Sequence, residues 1–288
     1  MYTPESQPTP TVVLPTMYDL PSENPEEPGL PDIFHLWQPR LLDDTCRPPN
    51  YPPERVFLAS DLNIYYDLQH LNWYKRPDWF VVLGVPRFYE QKDLRLSYVI
   101  WQEKVSPLVI VELLSEGTED EDLGETTATV NQPPTKWEVY EQILQVPYYF
   151  VFSRYTNKLR FFRLVRNRYS EQMLTEPRVW IPELKLGLGL WVGAYKDCNR
   201  PWLRWYDVDG NWVLNLEESQ EKERLAKEAA LIEKETALIE KERERLEKER
   251  ERLEKERERV EKEAALAKAA LLAEKLREMG IDPDQFSV

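Results

Sequence analysis

Two cysteines and two histidines are all that the 288 residues contain of the softer metal ligands. Cys46 and Cys198 stand too far apart in sequence for a disulfide framework or the paired spacing of a zinc site. His35 and His70 are too few and too scattered for a zinc hydrolase or a histidine-metal nuclease. No apolar run is longer than a strand, so no segment is expected to span a membrane. The start of the chain is rich in proline and acid, without the basic start and apolar centre of a signal peptide. Together these absences point to a reducing, cytoplasmic setting. Basic charge is scarce too: 38 Lys and Arg face 52 Asp and Glu, for a net charge of −14. From Glu217 onward there are 22 acidic and 17 basic residues, which leaves 30 against 21 for residues 1–216. An acidic body argues against tight, non-specific nucleic-acid binding driven by counterion release. A bound divalent ion and a local basic rim would still receive a phosphate.

What is present is a chain in four parts. Residues 1–52 form a proline-rich arm, extended or disordered to Pro31 and packed on the body from Ile33 to Pro53. Residues 53–216 hold most of the ten Trp and fifteen Tyr, which favours one packed, β-rich domain. Residues 217–279 read as one long charged helix and 280–288 as a tail. Within the second part the apolar runs Arg55–Ala59, Trp79–Leu83, Leu108–Leu114, Tyr148–Phe152, Leu159–Val165, Arg178–Pro182 and Trp202–Tyr206 read as strands. Residues 154–158 read as a hairpin turn. Gly187-Leu188-Gly189 lacks the third glycine and the strand–turn–helix setting of a phosphate loop, so it reads as a tight β-turn. Ser60 or Asp61 is expected to cap a short element or shape a turn. The six acidic residues between Glu116 and Glu125 read as a solvated loop, a second metal pocket being the sharper alternative.

Three residues stand out against this background. Glu112 interrupts the Leu108–Leu114 run, and a carboxylate in a strand buried on both faces is costly unless a cation or hydrogen bonds compensate it. It therefore either pairs with a buried Arg or Lys, sits at a frayed strand end, or belongs to a site. Asp78, between Pro77 and the Trp79–Leu83 strand, is either a turn-capping aspartate or a second carboxylate at a strand edge. Lys136 opens a helical segment to Leu144 that Thr135 is placed to cap, and it shares a face with Tyr140 four residues on. A cation near a helix start is slightly disfavoured by the helix dipole, which gives mild support to a functional lysine. Two carboxylates and a lysine are the groups that hold a hard divalent cation and activate water beside a phosphodiester.

The ordered set PDWFVVLG, VIVELLS, an acidic segment, KWEVY and PYYFVF resembles the Uma-two-like restriction endonuclease family of the PD-(D/E)XK nuclease superfamily, abundant in cyanobacteria. The resemblance runs from about Val56 to Tyr206. It implies an α/β fold with a restriction-endonuclease-like mixed β-sheet core flanked by helices, here followed by the long charged C-terminal helix. It also implies metal ligation by Asp78, Glu112 and the backbone carbonyl of Leu113, with Mg²⁺ or Mn²⁺ as cofactor and DNA as partner. The superfamily's lysine commonly lies two residues after the second acid, where this chain has Leu114. In the Uma-two-like family it lies on the following helix, before a Tyr four residues later, which Lys136 and Tyr140 match. Asp122 matches the acid upstream of that lysine, at a longer gap, and no ELIDG-like early glutamate is found.

From Glu217 to Met279 there is no proline or glycine, and a seven-residue unit places Ile232, Ile239, Leu246, Leu253 and Val260 on one stripe. Mid-repeat, the second seam position is charged, so a two-stranded coiled coil lacks half its stripe. Pairs such as Glu244–Lys248 and Glu251–Lys255 would each add about 0.3 kcal/mol to the helix. Gly280 and then Asp282-Pro283 are expected to end it. The helix is either a solvated spacer or a helix that binds a specific partner, and its stripe would also allow weak homo-oligomerisation through residues 217–279. Two functions follow from different classes: a Mg²⁺-dependent endonuclease cutting DNA through Asp78, Glu112, Lys136 and Tyr140, or a catalytically inactive nuclease-fold scaffold that binds a protein or nucleic-acid partner. A third, an acidic structural protein unconnected with nucleic acid, is allowed by the net charge.

Overall fold

Strand runs that are apolar on both faces need a covering layer on each side, and the fold is arranged around that need. The computed structural model describes residues 32–115, 119–126 and 132–280. The arm over 1–31 and the Asp282-Pro283 stop lie outside them.

Helix α1 (Ile33–Thr45) comes first, capped by the Asp32 side chain, which accepts from the backbone N–H groups of Phe34 and His35. The arm expected to pack on the body over 33–53 does so, with its first part folded as this helix. Pro39 sits inside it and removes one ladder donor, but near-complete burial of Phe34, Leu41 and Leu42 outweighs that loss. Strands β1 (Val56–Ala59), β2 (Ile64–Tyr65), β3 (Tyr74–Lys75), β4 (Trp79–Leu83) and β5 (Tyr98–Val99) follow, then the one-turn helix α2 (Ile100–Glu103) and β6 (Val109–Leu114). Helices α3 (Glu119–Asp122) and α4 (Lys136–Glu138), the latter running into a π-turn over Val139–Ile143, precede β7 (Tyr148–Ser153). The body closes with β8 (Lys158–Val165), β9 (Arg168–Glu171), β10 (Arg178–Ile181), β11 (Leu186–Tyr195) and β12 (Cys198–Tyr206).

Six strands make the central sheet in the order β1-β4-β6-β7-β8-β9, with β10-β11-β12 and β3-β2-β5 as smaller sheets. The central sheet is mixed: β6 and β7 run parallel, its other pairs antiparallel. Side chains alternate across each strand. Trp79, Val81, Val109, Val111 and Phe150 share a core with α1 and the β10–β12 sheet. Phe80, Val82, Ile110, Tyr149 and Val151 share the opposite core with β2, β5, Val139, Tyr140 and Leu144. Glu112, two residues beyond Ile110, points to this second side.

The structure corrects several local expectations. Gly187 and Gly189 lie within β11, paired to both neighbouring strands, and not in a tight turn. Glycine is needed at Gly187 for close approach, since a Cβ there would stand 1.9 Å from Cζ of Tyr206. Ser60 and Asp61 cap no helix: Asp61 takes a left-handed turn conformation (φ 52°) and bonds Arg76 at 3.1 Å. Of the acidic stretch, 116–118 are outside the described residues, but Glu119–Asp122 is helical and Asp122 is buried, because its carboxylate has an ammonium to meet.

The chain divides after Leu216. The second unit, from Glu217, holds all but the first residue of helix α5 (Leu216–Glu278), 63 residues long and so about 95 Å at 1.5 Å per residue, ending at left-handed Gly280 (φ 77°). Its ion pairs include Lys227–Glu223 and Arg257–Glu261. Among the described residues the expected Glu244–Lys248 and Glu251–Lys255 pairs do not come within bonding distance, as solvated side chains gain little by closing such contacts.

Burial also shapes the pH response of this core. Trp79 Nε1 donates to Asp43 Oδ1 at 2.7 Å, yet burial, helped by Asp44 and opposed by the Trp79 bond, pushes the Asp43 carboxyl up to about 6. A folded-state value above the unfolded one, ~3.9, means stability present below about pH 4 and lost as the pH rises through about 6. Asp43→Asn keeps the acceptor without the charge. The variant should be more stable than wild type by roughly 2 kcal/mol at pH 8 and no more stable at pH 4, measured by urea unfolding; an equal gain at both would contradict this.

Candidate active site

Where β4 ends, β6 continues, and the candidate site lies at this step in the sheet. The antiparallel register pairs Trp79 with Val111, so Asp78 falls opposite Glu112, just past the last rung. Asp78 takes over as a hydrogen-bond partner for the exposed β6 edge: Leu113 N donates to Asp78 Oδ2 at 2.6 Å. The turn-cap alternative for Asp78 therefore gives way to a bond across the sheet. Asp78 N in turn approaches Glu112 Oε2 at 3.4 Å.

Glu112 is fully buried and both its oxygens are engaged. Tyr140 OH donates to Oε1 at 2.8 Å, and Lys136 Nζ donates to Oε2 at 3.2 Å and to Asp122 Oδ1 at 2.8 Å. The structure thus brings all four expected side chains, Asp78, Glu112, Lys136 and Tyr140, into one cluster and adds Asp122 to it. Lys136 and Tyr140 reach the same carboxylate because four residues make about one helical turn. Thr135 fixes the start of that turn through a capping box with Glu138. Lys136 N donates to Glu121 Oε1 at 3.2 Å, and Lys75 Nζ donates to the same oxygen at 3.2 Å, so α3 and α4 are tied together at the site. Along this segment Trp137, Tyr140 and Leu144 pack against the sheet, whereas Ile143 is exposed.

Electrostatics follow from three carboxylates around one ammonium. Burial pushes the Glu112 carboxyl well above the usual range; Lys136 opposes this, and Asp122 and Asp78 add to it. Burial works against the Lys136 charge, but Glu112, Asp122 and Asp78 outweigh it and hold the ammonium protonated well beyond the ordinary lysine range. Burial and Glu112 likewise raise the Tyr140 phenol, which stays a donor. With every carboxyl ionised, the cluster would carry two surplus negative charges.

One neighbour went unread in the sequence. Leu113 O, the expected third ligand, accepts from His35 Nε2 at 3.0 Å, while His35 Nδ1 lies 3.0 Å from Asp32 Oδ1. A carbonyl and a carboxylate only accept, so both ring nitrogens carry protons. Burial disfavours that charge, but Asp32, then Asp78 and the Leu113 carbonyl, raise the imidazole's pKa above its usual value. The Asp32-x-x-His35 spacing at a helix start was the available signal. Among the described residues no three His, Cys, Asp or Glu side chains stand together at ligating spacing; the hard oxygens gathered at the step are those of Asp78, Glu112 and the Leu113 carbonyl.

Because Lys136 alone neutralises this cluster, Lys136→Met leaves buried carboxylates uncompensated, at a cost of about 3–5 kcal/mol near neutral pH. The loss should shrink as the pH falls and the carboxyls protonate. Urea unfolding at pH 8 and pH 5 checks this, and a loss of the same size at both would contradict it.

Comparison with known proteins bears on the whole body. The Uma2 family model, described as "Putative restriction endonuclease", matches residues 14–195. No curated protein matches the chain. A crystal structure of "a putative nuclease belonging to DUF820" from Anabaena variabilis is similar at 11% identity with a TM-score of 0.31, over 46% of this chain and 61% of that one. The chain therefore spans less than two thirds of that neighbour. No helix among the described residues is long and apolar enough to cross a membrane. With most of its body matched by a single family model, the chain belongs to the Uma2 family of restriction-endonuclease-like proteins.

Proposed function

We propose that this chain is a divalent-metal-dependent endonuclease that hydrolyses phosphodiester bonds in DNA, in a domain spanning 53–216. The observation that carries the reading is the convergence of Asp78, Glu112, Lys136 and Tyr140, drawn from three elements, at one step in the sheet. The donor set fits a hard cation such as Mg²⁺ or Mn²⁺: two carboxylates and the Leu113 carbonyl are all oxygen, and the surplus negative charge calls for two positive ones. When bound there, such a cation polarises a phosphate oxygen and lowers the pKa of water beside it. Lys136, one-fifth exposed and held charged by its neighbours, is placed to orient the attacking water or to donate to charge developing on the phosphate. Tyr140 fixes Glu112 from behind, so the carboxylate does not rotate away.

One observation favours the rival, a nuclease fold that has lost catalysis and acts as a scaffold. The Lys136 ammonium already bonds Glu112 and Asp122, and His35 already bonds Leu113 O, so charge and lone pairs are partly satisfied without metal. Calorimetric titration with Mn²⁺ separates the two, because an intact site takes up the ion and a decayed one does not. On the nuclease reading, wild-type protein with Mg²⁺ or Mn²⁺ nicks supercoiled plasmid, and Asp78→Asn or Glu112→Gln abolishes this. Wild-type activity no greater than that of the two variants refutes it.

For residues 217–279 we propose self-association. Ile232, Ile239, Leu246, Leu253 and Val260 recur every seven residues and are all 54–65% exposed, a stripe that a second copy would cover. Sedimentation equilibrium should show concentration-dependent association that Leu246→Glu with Leu253→Glu removes; a monomer at all concentrations would end the idea.

A further inference from the structure

An acidic body needs some local place where a polyanion is welcome, and the search for one ends beside the site. Arg154 directly follows β7, whose last rung pairs Leu114 with Ser153 in parallel. It therefore leaves the sheet next to the carboxyl end of the strand that carries Glu112 and Leu113. Arg200 comes from β12 and donates through Nη2 to Arg154 O at 2.9 Å. Both guanidinium carbons lie over the same Phe34 ring, 5.9 Å and 4.6 Å from its centroid. The connection to the site is continuous: Arg154 Nη2 bonds Asp32 Oδ2 at 2.8 Å, Asp32 holds His35 Nδ1, and His35 Nε2 holds Leu113 O.

Charge accounting singles out this pair. Asp32 explains Arg154 as a clamp on the start of α1. Nothing comparable explains Arg200, which has no carboxylate within ion-pair distance among the described residues. The Nε atoms of both arginines are buried without a partner. A half-buried guanidinium beside a like charge, with Asp32 acting on it only from beyond ion-pair distance, is an unfavourable arrangement. Burial and the Arg154 charge accordingly lower the Arg200 pKa. Two partly exposed guanidiniums side by side present donors of the type that bind a phosphate.

We propose that Arg154 and Arg200 form a phosphate-binding subsite that grips the DNA backbone beside the Asp78–Glu112 centre. This rests on the nuclease reading for its ligand, but not on catalysis. The test measures binding of a fluorescein-labelled DNA duplex by anisotropy in EDTA across a salt series, with full-length protein. Arg154→Gln with Arg200→Gln should weaken binding about tenfold or more and reduce the slope of log K against log salt by about 2. Arg154→Lys with Arg200→Lys keeps both charges and should retain the wild-type slope, and its thermal unfolding shows whether the α1 clamp survives. An unchanged slope in the glutamine pair overturns the proposal. So does a lysine pair that folds yet loses the slope, or a wild-type protein that does not bind duplex. If the slope behaves as expected while wild-type protein fails to nick plasmid, the subsite stands and the enzymatic reading falls.

Discussion

The contact on which the site depends is that of one ammonium with two buried carboxylates, Lys136 with Glu112 and Asp122. A carboxylate in the middle of a fully buried strand must be compensated from outside that strand, because its neighbours Val111 and Leu113 face the opposite core. Desolvation of this kind costs several kcal/mol per ion. The fold offsets it by bringing α4 over the sheet so that Lys136 and Tyr140 approach the same carboxyl. This makes α4 less a structural helix than a holder: three α-helical residues, a capping box and a π-turn. π-turns inside helices are commonly found at functional sites, and here the widened turn contains Tyr140.

The two covering layers then divide the labour. On one side α4 supplies a cation and a phenol to Glu112. On the other side α1 delivers His35 to the Leu113 carbonyl. Because side chains alternate along β6, one strand presents Glu112 to the first layer while the backbone edge beyond β4 presents Leu113 to the second. The early end of β4 is what opens that edge, and Asp78 closes it again by accepting from Leu113 N. Had β4 paired one residue further, the ladder would have consumed the backbone groups that give the step its chemistry.

How much of this was legible in the sequence depended on the range of the interaction. Trp79–Leu83 and the Glu112 strand were readable because apolar runs and a misplaced charge are local signals. Lys136 and Tyr140 were readable as one-face neighbours for the same reason. His35 was not, since the carbonyl it serves lies 78 residues away and the Asp32-x-x-His35 spacing is its one local signal. The α1 helix was hidden by proline: Pro39 argues locally against a helix, and only burial of Phe34, Leu41 and Leu42 overrides it. Gly187 and Gly189 misled in the opposite way. Paired glycines suggest a turn, but the Tyr206 ring that requires Gly187 comes from a strand the chain has not yet reached. The acidic stretch before Thr126 was read as solvated because no base stands in it; its bases, Lys75 and Lys136, come from outside.

Net charge, finally, is a weak guide to what such a body can hold. Salt screens the repulsion between an excess of acid and a polyanion beyond about a Debye length, ~10 Å at 0.1 M salt. Within that distance the arrangement of charge decides, and the structure is uneven there. Glu112 and Asp122 gather around Lys136, while Arg154 and His35 gather around Asp32 near the Leu113 carbonyl. On the proposed function, the carboxylates at the step would face a cation and Arg154 and Arg200 a phosphate, so that a body of net acidic charge keeps a local field of the opposite sign.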